Sequence, residues 1–187
     1  MCLQTTGFRQ DETVAHWYRF KPWNNKSQED VGCEINETVC NIIEEKGVPA
    51  EGVYKVINFF NSIGIPKALA SSSSPEVIDR VLIKLGLKQE FKVIYSAENE
   101  EFGKPHPAVY ITTARKMNTL PVNCLAIEDS LAGLLAAKSA RMRTLVIPEN
   151  HHKSNPEFSI ADIILNSLED FSGNHWELLN SFNGLSE

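Results

Sequence analysis

The spacing of apolar positions divides this chain near residue 65. Upstream, apolar residues recur only at helical intervals. A helix is expected over residues 11–20, stopped by the Lys21-Pro22-Trp23 turn. Ser27 then offers an N-cap with Asp30 three positions on; Val31, Ile35, Val39 and Ile42 follow at helical spacing, and Gly47 with Pro49 closes the element. Val53, Val56, Ile57 and Phe60 form a third stripe, stopped by Gly64. Downstream, short apolar runs alternate with helical patterns. Strands are expected at residues 67–70, 92–95, 124–127, 144–147 and 162–165. Helices are expected between them: one capped by Ser74-Pro75 and ended by Gly86, then residues 107–117 and 130–140. This alternation implies an α/β fold, a parallel sheet with helices on both faces, preceded by a helical segment.

With 187 residues, 42% of them hydrophobic and 22% charged, the chain has enough apolar material for one ordinary domain plus a small appendage. Lys and Arg number 18 against 24 Asp and Glu, a net charge of −6, and the basic residues are scattered. A nucleic-acid partner is therefore not expected, whereas a small anionic ligand in a locally positive pocket is compatible with this balance. Apolar runs fall short of the ~20 residues a membrane span needs, and Met1-Cys2-Leu3-Gln4-Thr5-Thr6 has neither a basic nor an apolar leader region. Neither membrane association nor secretion is expected. Cys2, Cys33, Cys40 and Cys124 lack metal-ligand spacing, which fits reduced thiols in a cytoplasmic protein.

In an open parallel sheet, ligands bind beyond the carboxyl ends of the strands. Four serines, residues 71–74, follow the first strand; Gly103-Lys104-Pro105-His106-Pro107 follows the second across a loop; Glu128-Asp129-Ser130 follows the third. Each alone has an ordinary structural reading: a capped turn, a loop lysine, an acidic helix start. Together they set hydroxyls, one lysine and a carboxylate pair along one sheet edge. Carboxylates hold a hard cation such as Mg²⁺, and cation, lysine and hydroxyls together neutralise a phosphoryl group. His106 lies between two prolines and reads as structural, and His151-His152 as a solvated loop.

This order of motifs resembles the haloacid dehalogenase (HAD) superfamily. The strand ending in Ala70-Ser71, the Gly103–Pro107 segment, and Ile127-Glu128-Asp129-Ser130 with Gly133 and Ala136-Ala137 look like its second, third and fourth motifs. Within it the chain is similar to the β-phosphoglucomutase-like subfamily, above all to the 2-deoxyglucose-6-phosphate (hexitol phosphate) phosphatases, through residues 68–73 and Arg141-Met142-Arg143. The resemblance implies a Mg²⁺-dependent phosphatase with an aspartyl-phosphate intermediate, acting on a small phosphorylated sugar or polyol. By motif, Ser71 and the Ser72 amide would bind the phosphoryl group, Lys104 would neutralise nucleophile and phosphoryl, and Asp129 with Glu128 would hold Mg²⁺. Arg9, in Gly7-Phe8-Arg9, would meet the distal end of the substrate. Residues 1–52 would be the latter part of a helical cap and residues 53–187 the HAD-like core.

The family's first motif, Asp-x-Asp on a strand at the sheet centre, has no counterpart here. Asp11 and Asp30 fall in helical, polar settings. Either that segment lies upstream of Met1, or the chain is a short form that binds phosphorylated ligands without turning them over. A sugar-phosphate mutase is the rival enzymatic reading. Without a central strand, the strands at 67–70 and 124–127 would stand about 9.6 Å apart. Buried backbone groups left unpaired cost about 1–3 kcal/mol each, against a domain stability of ~5–15 kcal/mol. The chain alone is therefore expected to be insoluble or loosely folded. An ordered form is expected to show an open slot, a borrowed strand, or the two strands collapsed together.

Overall fold

The computed structural model describes residues 5–149 and 155–181. Helix α1 (Gln10–Phe20) packs on α2 (Gln28–Lys46), whose start is reciprocally capped: the Asp30 amide donates to Ser27 Oγ at 3.0 Å, and the Ser27 amide donates to the Asp30 carboxylate at 3.2 Å. The apolar stripe of α2 does not become a core face. Ile35, Val39 and Ile42 are 40%, 36% and 53% exposed, because α2 leans mainly on α1 and α4 and has too few neighbours to cover it. Helix α3 (Val53–Ser62) does bury its stripe of Val56, Ile57 and Phe60.

From there strands and helices alternate: β1 (Ala68–Ser71), α4 (Pro75–Lys84), β2 (Val93–Ser96), α5 (Ala108–Lys116), β3 (Leu125–Glu128), α6 (Leu131–Ser139), β4 (Arg143–Val146), β5 (Ile163–Ile164) and α7 (Gly173–Ser181). The first three strands each extend one residue beyond their apolar runs, taking in Ser71, Ser96 and Glu128. Backbone pairing sets a strand's end, and it continues past the point where side chains turn polar. Cys33, Cys40 and Cys124 are free thiols, and Cys2 lies outside the described residues. Among the described residues no helix is long and apolar enough to cross a membrane.

The strands do not form one sheet. β1 pairs with β2 in parallel, Ala68 opposite Val93 through Ser71 opposite Ser96. Separately, β4 lies between β3 and β5, again parallel, with Leu125 opposite Arg143 and Leu145 opposite Ile163. The inner edges of β1 and β3 face each other. The amides of Arg143 and Ile147 donate to the carbonyls of Cys124 and Glu128 at 3.1 and 2.8 Å. Backbone groups alternate sides along a strand, so those of Leu125 and Ile127 turn away from β4. On β1 the Lys92 amide donates to the Lys67 carbonyl at 2.9 Å, so Ala68 and Ala70 turn away from β2. Both free edges border one slot of about 500 Å³, covered by Val56, Ile57 and Phe60 of α3 on one face and by Tyr110, Thr113 and Ala114 of α5 on the other.

Helix α3 holds the halves together. Its Ile57 packs with Ile78, Leu82 and Leu87 on the β1 side, while Val56 and Phe60 pack with Leu145, Ile163, Phe171 and Leu179 on the other. On the opposite face, α5 and α6 meet through small residues, Ala114, Ala136 and Ala137, against Ala126 of β3. Asp162 ties β4 to its neighbours: it accepts from the Thr144 amide at 2.7 Å and from Lys138 at 3.0 Å.

Two tests follow from this layout. Amide exchange read by NMR is expected to be fast at Leu125 and Ile127 and slow at Ala126 and Glu128, because only the latter face β4; equal protection would mean that the slot edge is paired. The second concerns pH. Burial alone would raise the Asp162 pKa, but hydrogen bonds from Lys138 and Thr144 outweigh it and hold the carboxyl below its ordinary 3.8. A depressed folded-state pKa stabilises the fold above the unfolded value, and that gain fades as pH falls through the folded value. The urea midpoint of Asp162→Asn should therefore lie well below wild type at pH 6 and approach it below pH ~3.8; a gap that stays constant with pH would contradict this.

Candidate active site

The slot reaches the carboxyl ends of β1 and β3 at Ala70 and Glu128, and the polar residues singled out in the sequence lie around that end, its polar mouth. Lys104, on the loop after β2, is 7% exposed. Its ammonium donates to Glu128 Oε1 at 2.5 Å, to the Ala70 carbonyl at 3.3 Å and to Tyr110 Oη at 3.3 Å. A lysine has three N–H donors, and all three are engaged here. The side chain thereby bridges the end of β1 to the end of β3.

Glu128 is the other half of this buried pair. Oε1 also accepts from the Tyr110 hydroxyl, and Oε2 accepts from Ser130 Oγ at 3.3 Å. The carboxylate lies against the first turn of α6, where a Cβ on Gly133 would stand 2.0 Å from Oε2. A glycine is thus required for the helix to start so close to the acid. Ser130 caps that helix, accepting from the Gly133 amide at 3.1 Å.

Asp129 follows at the rim, open to solvent on one side. Concave walls still strip part of its hydration, so burial first, then the charges of Glu128 and Glu149, push its pKa above the ordinary value, with Lys104 acting in the opposite direction. Two adjacent carboxylates, one of them destabilised as an anion, are a donor set suited to a hard divalent cation. Mg²⁺ needs only one or two protein carboxylates beside water and phosphate oxygens. The residues fit it, although among the described residues no group of three or more His, Cys, Asp and Glu forms a full metal cage.

Ser71 ends β1, its Oγ accepting from the Ser73 amide at 3.1 Å, and Ser96 Oγ fastens the serine turn by donating to the Ser73 carbonyl at 2.6 Å. Ser72 Oγ donates to the Gly7 carbonyl at 2.7 Å. Gly7 has φ +84°, and a Cβ there would lie 2.7 Å from Ser130 Oγ, so the N-terminal turn passes between the ends of β1 and β3. Two residues on, Arg9 donates to the carbonyls of Glu100 at 2.6 Å and Ala97 at 3.3 Å and pairs with Asp11 at 2.6 Å. Its side chain also packs beside Gly103, next to Lys104. Arg9 is thus anchored to the loop after β2.

His106 accepts from the Ala108 amide at 3.3 Å and its ring lies tilted against that of Phe102, a loop-shaping role. His151 and His152 lie outside the described residues. The residue that sequence reasoning passed over is Tyr110. Its position in an apolar helical stripe marks it as core, yet a buried phenol needs a polar partner, and six residues after Lys104 it finds the ion pair. Burial first, and then the Glu128 charge, hold its pKa well above 10.0, so the hydroxyl keeps its proton.

Comparison with known proteins places the chain in a family. A sequence profile of the haloacid dehalogenase-like hydrolases matches residues 10–141. Hexitol phosphatase B of Escherichia coli (strain K12) is 34% identical over 168 residues, 90% of this chain and 76% of that protein. A solved β-phosphoglucomutase from Clostridium difficile superposes with a TM-score of 0.84 at 23% identity, covering 97% of this chain and 81% of that one. CbbY from Rhodobacter sphaeroides, solved in complex with phosphate, gives 0.84 at 25% identity, covering 94% and 79%. With its fold, the order of its motifs and these relatives in agreement, the chain belongs to the haloacid dehalogenase-like hydrolases.

Proposed function

We propose that this chain carries the metal-binding and charge-neutralising part of a Mg²⁺-dependent cytoplasmic phosphatase for small sugar or polyol phosphates. The reaction runs through an aspartyl-phosphate whose nucleophilic aspartate sits on a strand outside this chain. The observation that carries the reading is the position of Lys104, at the slot mouth between Ala70 and the Glu128-Asp129 pair. An extended segment in the slot, paired with Ala68 and Ala70 on one side and Leu125 and Ile127 on the other, would deliver its last side chains to that lysine. Among the described residues, Asp11 is paired with Arg9 and Asp30 caps α2 at Ser27, so neither is placed for attack. The hexitol phosphatase relative and the phosphate bound to CbbY support the substrate class.

The chain's own groups divide the work. Glu128 and Asp129 would hold Mg²⁺, which when bound adds positive charge against the phosphoryl oxygens. Lys104 neutralises charge that builds on the transferring group and the attacking carboxylate, and is already desolvated where it does so. Ser71 and the Ser72 amide bind the phosphoryl oxygens. Arg9 would meet the distal end of the substrate by giving up its pairing with Asp11, since the Glu100 and Ala97 carbonyls hold the rest of its guanidinium; it lies on the segment (residues 1–52) that would form part of a cap over the core (residues 53–187).

Residues 1–187 incubated with Mg²⁺ and a hexitol phosphate are expected to release no phosphate, and to release it once a strand bearing Asp-x-Asp is joined upstream. In that extended chain Asp129→Asn should abolish or greatly weaken the Mg²⁺-dependent turnover, and Lys104→Ala should lower the rate by about 10²–10³. β-Glucose-1-phosphate should yield free phosphate rather than glucose-6-phosphate. Turnover by the unextended chain, or wild-type rates in Asp129→Asn, would refute the assignment.

A further inference from the structure

We propose that Tyr110 is a positioning residue: its hydroxyl locks Lys104 and Glu128 into one closed triangle and so fixes the carboxylate of a proposed metal ligand. The proposal rests on the metal reading above. Tyr110 Oη accepts from Lys104 Nζ at 3.3 Å and donates to the same Glu128 oxygen that Lys104 reaches at 2.5 Å. Each corner of the triangle therefore touches the other two. The Tyr110 ring also lies beneath the ammonium, its centroid 4.9 Å from Nζ. Tyr110 is 7% exposed, Lys104 7% and Glu128 9%, so water does not readily replace any of these contacts.

The triangle leaves Glu128 little freedom. Oε1 takes two donors, Lys104 and Tyr110, while Oε2 faces Ser130 and the backbone space that Gly133 leaves open. Rotation of the carboxylate would break the Tyr110 and Lys104 bonds together. With the hydroxyl gone, Lys104 keeps two of its three acceptors and Glu128 keeps one donor on Oε1, so both side chains gain room to shift. Groups that orient a metal ligand in this way typically contribute 10–100-fold in metal affinity.

The test uses the full chain and Mn²⁺ as a spin-active stand-in for Mg²⁺. Tyr110→Phe, which removes only the hydroxyl, is expected to weaken Mn²⁺ binding measured by EPR about 10-fold or more while the melting temperature stays near wild type. In a Glu128→Gln background the same substitution should add no further loss, since the oxygen pair it organises is already altered. A loss of equal size in that background would make the effect merely structural and overturn the proposal. So would unchanged Mn²⁺ affinity in Tyr110→Phe, with the metal reading left standing. A wild-type chain that binds no Mn²⁺ would remove the metal reading and this inference with it. A check on the wild type alone does not depend on any variant folding: the Tyr110 hydroxyl proton, held against Glu128, should appear as a slowly exchanging NMR resonance, and its absence would overturn the triangle.

Discussion

One buried ion pair bridges the two halves of this molecule. Lys104 holds the Ala70 carbonyl, one residue before the end of β1, and the carboxylate of Glu128 that ends β3, across the slot that separates the sheets. Taking such charges out of water is expensive, and losing one partner of a buried pair commonly costs about 3–5 kcal/mol because the other charge is stranded. An apolar tie would hold two sheets together more cheaply. A charged one makes sense where positive charge is wanted at a fixed point near solvent, and the mouth of the slot is such a point. On the proposed function, the same pair serves both the fold and the chemistry.

The rest of the architecture is arranged around that bridge. Helix α3 spans the slot on one face with Val56 and Phe60 committed to one half and Ile57 to the other, while α5 brings both Tyr110 and the small residue Ala114 to the opposite face. Close packing of Ala114, Ala136 and Ala137 lets α5 and α6 approach β3 closely, and Gly133 lets α6 begin against the Glu128 carboxylate. Substituting a larger residue at any of these positions would push the acid away from the lysine. The N-terminal turn completes the enclosure: Gly7 sits between Ser72 and Ser130, and from there Arg9 is clamped to the loop that carries Lys104.

Much of this was legible in the sequence, for identifiable reasons. Strand–helix alternation after residue 65 gave every strand to within a residue or two, since parallel strands buried on both faces read as short apolar runs. Ser71, Lys104, Glu128 and Asp129 could be grouped from the sequence because each lies at or beyond the carboxyl end of a strand, the edge where ligands collect. Tyr110 was not, because helical periodicity assigns an aromatic to the core without saying where its hydroxyl goes. The α2 stripe misled in the opposite sense. Val31, Ile35, Val39 and Ile42 have the spacing of a buried face, but periodicity reports only that a face is apolar; whether anything covers it is decided by neighbours the pattern does not contain. Division of the strands into two sheets was visible only through the family resemblance, since pairing partners leave no mark on the strands' own composition.

The central claim is that the mouth of the slot is a cation site set up for phosphate chemistry. The most direct test is a paramagnetic map: Mn²⁺ added to the isotopically labelled chain, with amide relaxation followed residue by residue in the presence of inorganic phosphate. The account predicts that broadening centres on Ser71, Lys104 and residues 128–130 and fades towards the far ends of β1 and β3. Broadening centred instead on the groove between α2 and α4, where the carboxylates of Glu44, Glu76 and Asp79 lie beside Arg80 and Lys84, would contradict it.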